Sequence, residues 1–146
     1  MDVGRRLSLL VGCILVATVA CAGDGTGPGE GDNGPTEISF AADIQPIFTN
    51  SCALSGCHAG GSPAVGMNLS DGQAYTNIVN VAAVELPSMD RISPGEPDSS
   101  YLVHKIQGTL AAVGGVGERM PLSGCCLSQA QIESIRAWVE AGAENN

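Results

Sequence analysis

Aromatic side chains are scarce in this chain, with two Phe, two Tyr and one Trp among 146 residues. Each such side chain buries about 150–250 Å², so five of them limit the core that side chains alone can build. Basic residues are also few: 6 Lys and Arg stand against 15 Asp and Glu, for a formal net charge of −9. A phosphate backbone is gripped by clustered Lys and Arg, so this balance argues against nucleic acid and favours a basic protein surface as partner. No uncharged apolar run reaches the roughly 20 residues that cross a bilayer. Nothing resembles a Ser-His-Asp triad, a phosphate-binding loop or a catalytic carboxylate pair, so an enzyme is not expected.

What is there begins with a targeting segment. Met1–Ala20 carries Arg5 and Arg6 and then an uncharged, mainly apolar run from Leu7 to Ala20, the pattern of a secretory signal. The run ends in "TVAC", which puts Cys21 where a bacterial lipoprotein is cleaved and acylated. Cleavage at Cys13 would leave too short an apolar region. An ordinary signal cut near Ala20 or Ala22 is the other reading. Ala22–Thr36 is Gly-rich with almost no apolar side chain, a flexible linker over 21–36 that cannot bury enough surface to fold. One folded domain is expected over 37–146, which is enough for a modest core. Without Asp2, Arg5 and Arg6 the mature chain keeps 14 acidic and 4 basic residues, a net charge of about −10. Ala22 lacks the Asp that can retain a lipoprotein at the inner membrane. The expected location is therefore the periplasmic side of the outer membrane, through a lipid anchor on Cys21.

Helical signals dominate the folded part. In "SFAADIQPIFTN" Phe40, Ile44, Ile47 and Phe48 recur at helical spacing behind a candidate N-cap at Ser39, and Pro46 is tolerable in a first turn. "GQAYTNIVNVAAVEL" is a weak helical candidate because of its β-branched residues. Ser99 or Ser100 supplies an N-cap for "YLVHKIQG", with Leu102, Val103 and Ile106 inward, His104 exposed and Gly108 as a stop. The clearest element is "SQAQIESIRAWVEAG": Ser128 and Gln131 make a capping box, Ile132, Ile135, Trp138 and Val139 line one face, and Gly142 suits the C-terminal cap. An all-α domain of three to five short helices and long loops follows. So loop-rich and aromatic-poor a domain would gain from a large apolar cofactor.

The cysteines carry the chemistry. In an exported chain, thiols are oxidised or otherwise committed. With Cys13 in the signal and Cys21 lipidated, Cys52, Cys57, Cys125 and Cys126 need an explanation. "CALSGCH" places His58 directly after Cys57, as in the Cys-x-x-Cys-His attachment motif of c-type haem, but with four residues between the cysteines. Five positions apart, they would diverge by about 140° on an ideal helix, so the segment must bulge as a loop. Ala53, Ser55 and Gly56 are small enough to allow it.

Together, "FAADIQPIF" ahead of "CALSGCH", then "PGEPDSSYLVHKI", "GERMP" and the final helix resemble the small class I cytochrome c domains of exported bacterial proteins. The resemblance covers about Ser39 to Ala143. It implies a cytochrome c-like fold in which the N-terminal helix crosses the C-terminal one, Phe40, Ile44 or Phe48 meeting Ile135, Trp138 or Val139. It also implies one covalent haem c on Cys52 and Cys57, with His58 as proximal iron ligand and Met120 as the sixth. A thioether ligand raises the potential and closes the iron to small ligands, and Pro121 keeps Met120 extended. Met67, Met89 and His104 compete for that place. Arg119 could pair with a haem carboxylate, although an exposed Arg is the commoner outcome.

The expected function is that of an electron carrier alternating between ferric and ferrous iron, serving redox partner proteins. Two alternatives stand beside it. One is a haem sensor or peroxidase-like protein with an open sixth position. The other is a disulfide-stapled structural or binding lipoprotein without haem, pairing Cys52 and Cys57 with each other or with Cys125 and Cys126. Zinc is a weaker reading, since adjacent Cys57 and His58 seldom face one metal.

Overall fold

In the computed structural model the described residues are 37–122 and 126–146. The signal segment, Cys21, the Gly-rich linker and Cys125 lie outside them. All described residues fall within one compact unit, Pro35–Asn146. Every regular element among them is a helix: α1 Gln45–Ser51, α2 Ala74–Ile78, α3 Tyr101–Gln107 and α4 Gln129–Glu140, with one π turn and three short 3₁₀ turns. None of these helices is long and apolar enough to cross a membrane.

The chain enters through the N-cap expected at Ser39. Its hydroxyl accepts the Ala42 N–H at 3.1 Å, while its own N–H donates to Asp43 Oδ2 at 2.8 Å. Phe40–Ile44 then form a π turn before α1. The widening sits just ahead of Pro46, which lacks the donor for the next i−4 bond. Phe40, Ile44, Ile47 and Phe48 are all buried, as their spacing predicts.

The second predicted helix is much shorter than its sequence candidate. After Ile78 the chain turns extended at Val79 (φ −80°, ψ 125°) and runs beside 89–93, with bridges Val79–Ile92 and Ala82–Asp90. The β-branched run Ile78, Val79, Val81 explains the change, since such side chains lose rotamer freedom in a helix and pack well on extended backbone.

Helix α3 follows Ser100 and ends at Gly108 (φ 78°), as expected. Ser100 does not cap it by side chain: its hydroxyl donates to Glu96 O at 2.9 Å and accepts from Ser93 N–H at 2.9 Å. Helix α3 lies deep, with every residue from Tyr101 to Ile106 buried. The sequence placed His104 at the surface, and this is corrected. His104 Nε2 lies 2.9 Å from Asp98 O and Nδ1 2.8 Å from Thr109 Oγ1. With a carbonyl at Nε2, that nitrogen carries the proton, and polar partners at both nitrogens make burial tolerable.

Helix α4 bears both halves of the predicted capping box. At its other end Gly142 N–H donates to Val139 O at 3.0 Å and Ala143 N–H to Trp138 O at 2.9 Å, the paired bonds of a Schellman ending. Its buried face, Ile132, Ile135, Trp138 and Val139, belongs to the main core with Phe40, Ile44 and Phe48. Phe40 and Trp138 ring centroids lie 5.2 Å apart, and Tyr75 closes on Phe40 at 5.4 Å. With Phe48 6.3 Å from Phe40, four of the five aromatic rings concentrate in one place. The first and last helical segments meet there, next to the start of the cysteine loop.

Candidate functional site: the Cys52–His58 loop and an apolar cleft

Cys52 follows the last residue of α1, and its N–H donates to Phe48 O at 2.9 Å. The four intervening residues leave the helix as a bulge. Cys57 N–H donates to Leu54 O at 2.9 Å and His58 N–H to Cys52 O at 3.2 Å, so the loop closes on itself. Gly56 sits within it at φ 81°, a conformation that suits glycine. Two further bonds, Ala64 N–H to Cys57 O and Leu69 N–H to His58 O, both 2.8 Å, fix the next segment onto the loop. Cys52, Cys57 and Cys126 carry free thiols.

Cys52, His58 and Met120 border one cleft, a cavity of about 110 Å³ whose walls include Phe48, Leu69, Leu102 and Ile106. A second cavity of about 100 Å³ shares Cys52, His58, Ala64 and Met120 and adds Cys57. Interiors seldom leave voids larger than the roughly 10–15 Å³ one water needs. Two adjoining spaces of this size with mainly apolar walls are therefore suited to a sizeable apolar group. The four site residues predicted from sequence are thus brought to one place.

Electrostatics separate the donors. Burial, and then the neighbouring Cys57, push the Cys52 thiol up to about 11. Burial lowers His58 below the ordinary imidazole value, against the raising effect of the Met67 and Ala64 carbonyls, and the positive Arg91 and Lys105 lower it further. His58 Nδ1 lies 3.2 Å from Met67 O. A carbonyl only accepts, so Nδ1 carries the proton and Nε2 keeps its lone pair. No hydrogen bond to Nε2 forms within 3.5 Å among the described residues, although the Ala64 carbonyl also acts on the ring.

The competing ligands sort by position. Met89 packs against Ala83, Tyr101 and Leu110 rather than on the cleft. Met67 does line the cleft, but on the segment whose carbonyl holds His58. Both ring nitrogens of His104 are engaged elsewhere. Met120 is half-buried, in a cis peptide with Pro121, and its N–H donates to Lys105 O at 2.9 Å. Arg119 is exposed, with Nε donating to Ile106 O at 2.9 Å.

Two cations at the cleft were missed in the sequence. Arg91 is 7 % exposed and donates to Asn77 O at 2.7 Å and Val65 O at 2.8 Å. It has no salt-bridge partner among the described residues, and burial lowers its pKa. Its bond to Val65 supports a left-handed backbone (φ 47°) that is uncommon for a β-branched residue. Lys105, also 7 % exposed, pairs with Glu85 at 2.9 Å. A usable signal was present: only four Lys and Arg follow the signal segment, and one of them lies inside the apolar helix "YLVHKI".

The donor set fits haem c. Two thiols, a neutral imidazole with an uncommitted nitrogen and a thioether border adjoining apolar spaces, and two buried cations face the same cleft. Comparison with protein-family models, curated proteins and solved structures gives no match to this chain.

Proposed function

We propose that the chain is a mono-haem c-type cytochrome of cytochrome c-like fold, acting as an electron carrier. The observation that carries this is the convergence of Cys52, Cys57, His58 and Met120 on one pair of apolar spaces, with His58 Nδ1 tied to a carbonyl. Haem c, when bound, supplies an iron centre that accepts and returns one electron. Cys52 and Cys57 would hold it covalently, and His58 would offer Nε2 as proximal ligand. The Met67 carbonyl fixes the tautomer and orients the ring, the role an outer partner takes toward a ligating histidine. Met120 would offer a sulfur that favours the reduced state and leaves no open position. Arg91 would supply positive charge suited to a carboxylate, and the apolar walls would keep water from the metal.

The targeting pattern at residues 1–21 supports export and a lipid anchor on Cys21, facing the periplasm. The acidic balance supports a basic surface on the redox partner.

The test is an intact mass and optical spectrum of the full chain produced in a host that attaches haem c. One added haem mass and a low-spin spectrum with sulfur ligation are expected. A mature protein without the added mass overturns the cytochrome reading.

A further inference from the structure

We infer that Tyr101 and the Lys105–Glu85 ion pair are positioning residues that hold the segment 116–120 against α3 and thereby present the Met120 sulfur to the cleft. This rests on the reading of Met120 as an axial ligand.

Residues 116–119 are all exposed, and only Met120 is half-buried. Apolar burial therefore does little to hold this segment, and its place depends on polar anchors. Five such anchors reach it from α3. The Tyr101 hydroxyl donates to Val116 O at 3.0 Å and accepts Val116 N–H at 3.2 Å. Lys105 Nζ reaches the same Val116 O at 3.5 Å while paired with Glu85. Arg119 Nε donates to Ile106 O, and Met120 N–H donates to Lys105 O. Tyr101 is 3 % exposed and gives both bonding capacities of its hydroxyl to one residue of this segment.

The glycines of "VGGVGERMP" complete the fit. A Cβ on Gly115 would stand 2.5 Å from the Tyr101 ring, and one on Gly117 would stand 2.6 Å from Glu85 Oε1 and 3.0 Å from Lys105 Nζ. Real Cβ atoms do not approach so closely. The two positions leave space for the two anchoring groups, so glycine spacing and anchors form one device directly upstream of Met120. The consequence is that ligand geometry is set by α3, the helix that also walls the cleft through Leu102 and Ile106.

The experiment uses the haem-loaded full chain. Tyr101→Phe keeps the ring and deletes both hydroxyl bonds. Glu85→Gln removes the ion pair from a partly exposed position, and Gly115→Ala displaces the segment from the other side. Each variant should weaken the thioether-to-ferric-iron charge-transfer absorption, lower the potential and speed carbon monoxide binding. Amide exchange at Val116 and Met120 should rise roughly tenfold, as expected when anchors worth about one hydrogen bond each are lost. Arg136→Gln, which breaks the ion pair with Asp98 elsewhere on the surface, should leave all of these unchanged. A general loss of stability would lower the thermal midpoint without these local changes. Wild-type protein with sulfur-ligated haem, whose absorption, potential and Val116 exchange survive Tyr101→Phe and Glu85→Gln, overturns this inference alone. Wild-type protein without haem overturns the cytochrome reading and the ligand role inferred from it.

Discussion

His58 donates its Nδ1 proton to the main-chain oxygen of Met67 across 3.2 Å. One bond thereby settles the tautomer of the only imidazole on the cleft and ties the cysteine loop to the segment that follows it. Leu69 N–H returns to His58 O at 2.8 Å, so the histidine is gripped by backbone on both its ring and its main chain. On the proposed reading, an imidazole held this way would need little reorganisation to serve as an iron ligand.

The depressed His58 pKa gives the first prediction, for the haem-free chain. Burial favours the neutral ring in the folded state, so the unfolded chain takes up its proton first as pH falls. The stability associated with neutral His58 is complete above about 6.5, the ordinary value, and is lost as pH falls from there through the lower folded-state value. Urea melts between pH 7.5 and 5 should show this loss, and His58→Gln should remove that part of the slope. An unchanged slope in His58→Gln would assign the pH response to other groups.

The second prediction concerns the thiols of the same form. With Cys52 pushed up to about 11, roughly a thousandth of it is thiolate at pH 8, and the thiolate is the reactive species. Iodoacetamide at pH 8 should label exposed Cys126 well before Cys52, and Cys52 labelling should accelerate as pH rises toward 10. Peptide mass mapping over time reads both rates. Equal labelling of Cys52 and Cys126 at pH 8 would contradict the burial of Cys52.

Much of the scaffold was legible because it is written in local chemistry. Ser39, the Ser128–Gln131 box, Gly108 and Gly142 act through neighbours a few residues away, and the apolar spacing of Phe40 to Phe48 and Ile132 to Val139 needs only helical periodicity. The positions of Cys52, Cys57, His58 and Met120 were readable from motif and order. What failed was set by contacts outside the helical pattern. Helix α2 stops early because Val79 finds a partner at Ile92, and His104 is buried because Asp98 O and Thr109 Oγ1 receive it. Arg91 and Lys105 had no role in the sequence reading, since a linear pattern does not show that Val65 O and Asn77 O receive the one and that Glu85 pairs with the other.

The third prediction tests how the two ends of the domain are fastened. Asn146 Oδ1 accepts Phe40 N–H at 2.7 Å, its Nδ2 donates to Glu37 at 3.1 Å, and its main-chain oxygen accepts from Ala41 N–H at 2.9 Å. The Phe40 donor belongs to a helix start whose first N–H groups lack internal partners. Asn146→Ala should therefore cost about 1 kcal/mol, in the range of a lost helix cap. Chemical denaturation reads it as a lower midpoint with an unchanged slope. No change in midpoint would mean that water replaces the side chain at no loss.

The last prediction separates Met67, Met89 and Met120 on the haem-loaded protein. Met120→Ala should retain covalent haem, because Cys52 and Cys57 are untouched, while losing the sulfur ligand. Its potential should fall by on the order of 0.1–0.3 V, inside the roughly 0.8 V that axial ligands span, and ferrous iron should bind carbon monoxide rapidly. Met89→Ala should leave spectrum and potential unchanged, since Met89 packs against the cluster of Ala83, Tyr101 and Leu110 and does not itself line the cleft. Met67→Ala is the more searching comparison. Met67 holds His58 through its main-chain oxygen, which the substitution keeps, so sulfur ligation should persist and only cleft packing should suffer. If Met67→Ala abolishes sulfur ligation while Met120→Ala preserves it, the sixth ligand comes from the His58 side of the cleft and the assignment to Met120 is wrong.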